Sequence, residues 1–223
     1  MKAVFFDFDG TLTYKGPNIW QAIWSALGFK LGKGSEHQVQ LEEFLTKKIT
    51  YQEWCNKTLA CYKQKGMDIN ILNKITTNIK LMKGATETFK ALKQKGYELH
   101  IISGNIVDVI EKVLGENVKY FSSINANDFI FDENNKLIYI KGTEYDCEGK
   151  AKFIQEYINT TNSNPSELYF IGNGFNDEWA HLSGCKTICI NPDETEHTNA
   201  TKWHKVIENL TDLQQILPYI IIE

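Results

Sequence analysis

The chain has 223 residues, 42% of them hydrophobic, and a formal charge of −4, so it can bury a full core and shows neither a basic footprint for nucleic acid nor a polybasic stretch for a membrane. No apolar run approaches the roughly 20 residues of a membrane span, and an apolar strand starting at residue 3 leaves no space for a leader, so a soluble, cytoplasmic protein is expected. All 24 basic residues are lysine; anions must therefore be recognised by ammonium groups, backbone N–H groups or hydroxyls, never by a bidentate guanidinium.

Ala3 to Phe8 reads as a strand buried on both faces and ended by Gly10. Asp7 and Asp9 lie two apart, so an extended chain sends both carboxylates to the same side. Such a pair at a buried strand end needs a cation or a shared proton, and a divalent metal is the obvious partner; a plain Asp-rich turn explains the two residues equally well. From Asn18 to Gly28, Ile19, Trp20, Ile23, Trp24 and Leu27 recur at helical spacing. Helices follow around Ser35–Lys48, Thr50–Lys65 and Asp68–Lys80, and Thr50 with Glu53 has the form of a capping box. The tryptophans and tyrosines of this block read as core, because helical spacing explains them.

From Lys83 the pattern becomes strand and helix in alternation. It predicts a helix over Gly84–Lys95, a strand over Tyr97–Ile102 ending in the turn Ser103-Gly104-Asn105, a helix over Ile106–Leu114 and a strand over Tyr120–Ala126. Phe129–Phe131 and Leu137–Ile140 flank a hairpin turn; a helix over Gly149–Ile158, strands over Glu167–Ile171 and Lys186–Ile190, and a helix over Asp212–Leu217 complete the chain. The alternation implies a mostly parallel sheet with its site beyond the carboxyl ends of the strands. Three of those ends, Asp7–Thr13, Ser103–Asn105 and Gly172–Asp177, carry polar, glycine-containing turns and should converge. The five cysteines form no Cys-x-x-Cys pair and read as reduced and structural; the five histidines, His37, His100, His181, His197 and His204, show no ligand spacing.

In order, Asp7-Phe8-Asp9-Gly10-Thr11, Ile102-Ser103-Gly104, Gly149-Lys150 and Gly172-Asn173-Gly174-Phe175-Asn176-Asp177 resemble the four motifs of the haloacid dehalogenase superfamily. Within it the chain is most similar to the phosphoserine-phosphatase-like branch, whose helical cap the block after the first motif matches. The resemblance implies an α/β, Rossmann-like parallel sheet core, residues 1–14 and 82–223, with an inserted all-helical cap domain, residues 15–81. It implies a phosphatase of a small phosphorylated metabolite, as monomer or homodimer, with Asp7 as nucleophile forming an aspartyl-phosphate and Asp9 as general acid and base. It also implies that Ser103, Lys150 and the backbone near Gly10, Thr11 and Gly104 hold the phosphoryl oxygens, and that Mg2+ sits among Asp7, Asp9, Asn173 and Asp177.

Two departures from the family pattern matter. The last motif ordinarily opens Gly-Asp, and here opens Gly172-Asn173, which keeps an amide oxygen for a metal but gives up a charge. Phosphoserine phosphatases use a glutamate for the amino group and an arginine for the carboxylate; the corresponding stretch Tyr14-Lys15-Gly16-Pro17-Asn18 has no acid and the chain has no arginine, so phosphoserine is not the expected substrate. Lys15, Asn18, Asn56 and Lys57 are the polar candidates for substrate contacts from the helical block. Phosphotransfer or phosphomutase chemistry with the same nucleophile, and a catalytically impaired ligand-binding protein, stand as alternatives.

Overall fold

A computed structural model describes residues 1–192 and 200–221; His197 lies outside them. Its strands are β1 (Lys2–Phe6), β2 (Tyr97–Ile106), β3 (Ser123–Phe131), β4 (Leu137–Lys141), β5 (Leu168–Gly172), β6 (Lys186–Ile190) and β7 (Lys205–Ile207). Among the described residues they form one sheet of order β4-β3-β2-β1-β5-β6-β7, parallel except for the antiparallel pairing of β3 with β4. Strand β1 is central because Ala3 to Phe6 can be wholly buried on both faces. Val4 is in register with Leu99 on one side and Tyr169 on the other, which brings the carboxyl ends of β1, β2 and β5 side by side.

Helices α1 (Ile19–Ala26), α2 (Glu36–Leu45), α3 (Tyr51–Gln64) and α4 (Ile69–Thr76) lie between β1 and β2 in sequence, followed by α5 (Ala85–Gln94), α6 (Val107–Leu114), α7 (Glu148–Thr161) and α8 (Leu217–Ile220). The first four each start at a polar side chain that accepts from the first turn: Asn18, Ser35, Thr50 and Asp68. Thr50 and Glu53 form the reciprocal capping box expected of them. Phe89 and Leu92 of α5 pack with Ile110 of α6 on one face of the sheet, and Ile154 of α7 packs with Phe5 and Phe170 on the other. The architecture is the expected Rossmann-like α/β fold.

The apolar faces of α1 and α3 close on the β3–β4 hairpin: the Trp20 ring lies tilted to Trp54 at 4.8 Å and edge-on to Phe129 at 5.6 Å, and Tyr62, Leu137 and Ile140 belong to the same cluster. The chain enters and leaves the four helices through two segments that pair with each other, Thr13 opposite Leu81, with Tyr14 N–H donating to Lys80 and Met82 N–H to Leu12.

Several boundaries differ from the sequence reading. The third strand spans Ser123–Phe131 rather than Tyr120–Ala126, because one continuous segment pairs with β2 in its first half and with β4 in its second. Strand β2 runs through Ser103-Gly104-Asn105 to Ile106 instead of turning at Ser103, with an irregularity between Ile102 and Ile106 where Asn127 Nδ2 donates to the carbonyls of Gly104 (2.7 Å) and Asn105 (3.1 Å). A 3-10 turn at Leu213–Ile216, capped by Asp212, precedes α8 where one closing helix over Asp212–Leu217 is expected. All five cysteines are free thiols.

Candidate active site

The turns that follow β1, β2 and β5 meet as the parallel register requires. Asp7 N–H donates to the carbonyl of Ile171 at 2.9 Å, so the strand pairing continues one residue beyond β1 and fixes Asp7 beside the turn after β5. Gly10, at φ +73°, presses on that turn: a Cβ there would lie 2.7 Å from Asn173 Nδ2. Gly149 is as tightly placed, since its Cβ would lie 1.2 Å from the carbonyl oxygen of Glu144. Only glycine lets α7 begin under that loop and deliver the next residue, Lys150, to the carboxylates.

Lys150 is fully buried and its ammonium bonds Asp7 Oδ1 at 2.9 Å and Asp177 Oδ1. Burial opposes its charge, but the carboxylates of Asp177 and Asp7 outweigh burial and raise its pKa above the ordinary lysine value. Asp7 is itself raised, by burial first and by the Asp177 charge second, against the pull of Lys150. The other oxygen of Asp177 accepts from the N–H groups of Asn173 (2.9 Å) and Gly174 (3.0 Å), so this side chain ties the turn after β5 to Lys150.

Asp9, at the mouth of the cluster, is pushed up to about 6 by burial against the hydrogen bond of Asn105. Asn105 Nδ2 lies 2.9 Å from each Asp9 carboxylate oxygen, and its own Oδ1 accepts from Ile106 N–H at 2.6 Å. Asn127 braces the carbonyls on either side, as described, and accepts from Thr143 N–H at 2.9 Å. The sequence places Asn105 in a polar turn at a strand end, directly after a motif, but gives no sign of Asn127, because a lone Asn within a strand carries no local signal.

Ser103 is buried at the end of β2 and its hydroxyl accepts from Asn105 N–H at 3.2 Å. Gly104 gives its carbonyl to the indole N–H of Trp20 at 2.9 Å, which links α1 directly to the site. Thr11 directs its hydroxyl to Asn173 Oδ1 at 3.2 Å, and Gly10 N–H donates to the Thr13 hydroxyl, so this turn is held internally. Asn18 caps α1, Asn56 accepts from Gln52, and Lys57 pairs with Glu43, all within the helical block. Lys15 lines a cavity of about 590 Å³ that opens at Asp9 and Gly10.

The donor set fits a hard divalent cation. Asp7 and Asp177 bring two carboxylates to one ammonium, the Asp9 charge acts on Asp7 from beside them, and the neighbouring groups that could complete a coordination sphere are oxygens. Among the described residues no three His, Cys, Asp or Glu side chains form a cation cage by themselves, so an amide or main-chain oxygen must complete the set. Asp177, a ligand on the sequence reading, has one oxygen on Lys150 and the other on two N–H groups, just as Asp9 has both of its oxygens on Asn105 and Asn173 Oδ1 meets the Thr11 hydroxyl.

A family model described as haloacid dehalogenase-like hydrolase matches residues 1–180. The chain is 26% identical over 180 residues to a phosphoserine phosphatase of Archaeoglobus fulgidus, covering 79% of this chain and 48% of that protein. It is 24% identical over 172 residues to a phosphoserine phosphatase of Lactococcus lactis, covering 77% of this chain and 74% of that one. The chain thus spans about half the length of the first relative and about three quarters of the second. Its fold superposes on a solved phospho-aspartyl intermediate analogue of phosphoserine phosphatase with a TM-score of 0.74 at 24% identity, covering 99% of both chains.

Proposed function

The chain belongs to the haloacid dehalogenase-like hydrolases, and from that membership we propose that it is a Mg2+-dependent phosphatase of small phosphomonoesters that acts through an aspartyl-phosphate. The observation that carries the proposal is the buried Lys150 ammonium held between Asp7 and Asp177. A lysine in that position offsets the Asp7 charge, so that an anionic nucleophile can meet an anionic phosphoryl group.

Asp7 would attack phosphorus, forming an O–P bond as the ester oxygen departs. Asp9, oriented by Asn105, would give that oxygen a proton and afterwards take one from the water that hydrolyses the aspartyl-phosphate. Lys150, the Ser103 hydroxyl and the backbone at Gly104 would hold the phosphoryl oxygens. Asp7, the main-chain carbonyl of Asp9, Asn173 and Asp177 would hold Mg2+, which would supply charge neutralisation on the phosphoryl group. Asp177 in this reading also positions Lys150 and the turn after β5. Residues 1–14 and 82–223 form the core and 15–81 a cap that shields the reacting phosphate from water, in a cytoplasmic protein. Phosphoserine is not the favoured ester, because no arginine is present for its carboxylate.

The test is phosphate release from p-nitrophenyl phosphate and a panel of sugar, nucleotide and amino-alcohol phosphates, with and without Mg2+, by the chain and by Asp7→Asn. Hydrolysis that survives Asp7→Asn removes the proposed nucleophile. Asn173, in place of a charged ligand, favours one second reading, a ligand-binding relative without turnover; absence of hydrolysis on the whole panel with Mg2+ bound supports it.

A further inference from the structure

The cavity of about 590 Å³ beside the reaction centre is lined by Asp9 and Gly10 but by none of Asp7, Ser103 or Lys150. In a phosphoryl displacement the attacking and leaving oxygens lie roughly in line on opposite sides of phosphorus. On the proposed mechanism Asp7 attacks and Asp9 meets the leaving oxygen, so a cavity that opens at Asp9 lies on the leaving side. Its walls then face the alcohol of the ester and not the phosphoryl group.

Those walls are largely apolar. Helix α1 turns Trp20, Ile23 and Trp24 into the core, and beside them a second stripe, Ile19, Ala22 and Ala26, spaced three and four apart, lines the cavity. Ile75 and Ile79, four apart at the end of the helical block, line it as well. Leu31 and Tyr14, 43% and 52% exposed, add two large side chains that the core does not cover. Tyr14 is held there by its hydroxyl, which accepts from Lys83 N–H at 3.1 Å. The polar lining is either at the surface or already used. Lys15, Gln21, Ser25, Asn78 and Lys80 are exposed, and the buried Thr13 hydroxyl is engaged by Gly10 N–H and the Phe8 carbonyl. Among the described lining residues Asp9 is the one carboxylate, and Asn105 holds it, so the cavity offers no acid to an ammonium group.

We propose that this cavity receives the alcohol of the ester and that the preferred substrates are monophosphates of alkyl or aryl alcohols, in place of polyols, amino alcohols or hydroxy acids. This rests on the phosphatase reading and deepens it. An apolar alcohol laid against Ile19, Ile75 and Ile79 removes surface of both partners from water, and the gain grows with each methylene added. A polyol in the same place gives up its water for walls that offer it few partners. Alanine at positions 22 and 26 leaves room on α1 that a longer side chain would fill.

The experiment measures kcat/KM for ethyl, butyl and hexyl phosphate and for glycerol 3-phosphate, with Mg2+ present. It is run on the chain, on Ala22→Trp, which fills the cavity, and on Leu31→Asp, which puts a charge on an exposed wall and spares the core. In the unsubstituted chain kcat/KM rises roughly two- to fourfold per methylene, and butyl phosphate is preferred to glycerol 3-phosphate. Ala22→Trp keeps activity on ethyl phosphate and loses the rise, and Leu31→Asp reduces it. The rise is a ratio between esters, so a general loss of folded protein does not move it. A flat series, or a preference for glycerol 3-phosphate over butyl phosphate, overturns the proposal. So does a rise that survives in both variants, which places the alcohol elsewhere. Hydrolysis of p-nitrophenyl phosphate with a flat alkyl series leaves the phosphatase reading standing and removes this inference alone; no release from any ester removes both.

Discussion

Asn105 places one amide nitrogen 2.9 Å from both carboxylate oxygens of Asp9. A carboxylate gripped in this way is fixed in rotation about its own axis, so the direction in which Asp9 can give or take a proton is set by β2 and not by the turn that carries it. The grip is itself fixed, because Asn105 Oδ1 is held by Ile106 N–H.

Asn105→Ala should therefore lower kcat more than it raises KM. General acid–base groups contribute on the order of a hundredfold or more, and loss of orientation forfeits a part of that, about tenfold. Steady-state kinetics on p-nitrophenyl phosphate check it, and a pure KM effect would instead place Asn105 in substrate binding.

Lys150→Met should destabilise the fold by roughly 3–5 kcal/mol, the cost of leaving buried carboxylates without their cation. The loss exceeds that of an exposed pair such as Lys83–Asp212, whose lysine is largely in solvent. Urea denaturation of Lys150→Met and of Lys150→Met with Asp177→Asn reads the coupling: the second change should restore part of the stability, and strict additivity would contradict a shared charge network.

Asn173→Asp should tighten Mg2+, because it restores a charge at the one side-chain holder that has none. Close-range charge pairs at an effective dielectric near 20 are worth a few kcal/mol, offset here by added repulsion from Asp7 and Asp177. Calorimetric titration with Mg2+ reads the change without reference to turnover. An unchanged or weaker affinity counts against Asn173 as a metal holder.

Asp68 gives a pH dependence of known sign. The N–H of Ile71 at the start of α4 and the ammonium of Lys136 hold its carboxyl below the usual range. A lowered carboxylate stabilises the fold above its unfolded pKa and loses that contribution as pH falls through the folded value. Asp68→Asn should thus lie below the unsubstituted chain in melting temperature at pH 7, with the gap closing as pH falls below about 4. A gap that is constant with pH would mean that the charge of Asp68 contributes nothing.

Much of this was legible in the residues. The apolar run before Asp7, the capping box at Thr50 and the polar turns at three strand ends each announce themselves locally, and the parallel sheet that brings those turns together follows from alternation alone. What was not legible depends on partners remote in sequence. Whether β2 stops at Ser103 or runs to Ile106 is decided by Asn127, and the meeting of Lys150 with Asp177 depends on how closely α7 can approach at Gly149. Strand β7, of three residues, has too little pattern to be read, and the split pairing of β3 shows only when its two neighbours are known.

The cluster that joins α1 and α3 to the β3–β4 hairpin has a mechanical consequence. Hinges for a swing of the four helices would have to lie in the segments that enter and leave them, 13–16 and 80–84, yet those linkers are paired with each other and the helices are glued to strands of the sheet by Trp20, Trp54, Tyr62 and Phe129. Any wide opening must shear apolar surface or drag the sheet's own edge along. On the proposed function, substrate and product would pass by local yielding, and one place where that costs little is the α2–α3 corner facing the start of α7, bridged by the solvent-exposed pair of Lys47 with Glu148. Turnover would then be sensitive to salt, which loosens that pair, and indifferent to the stiffness of the hinges.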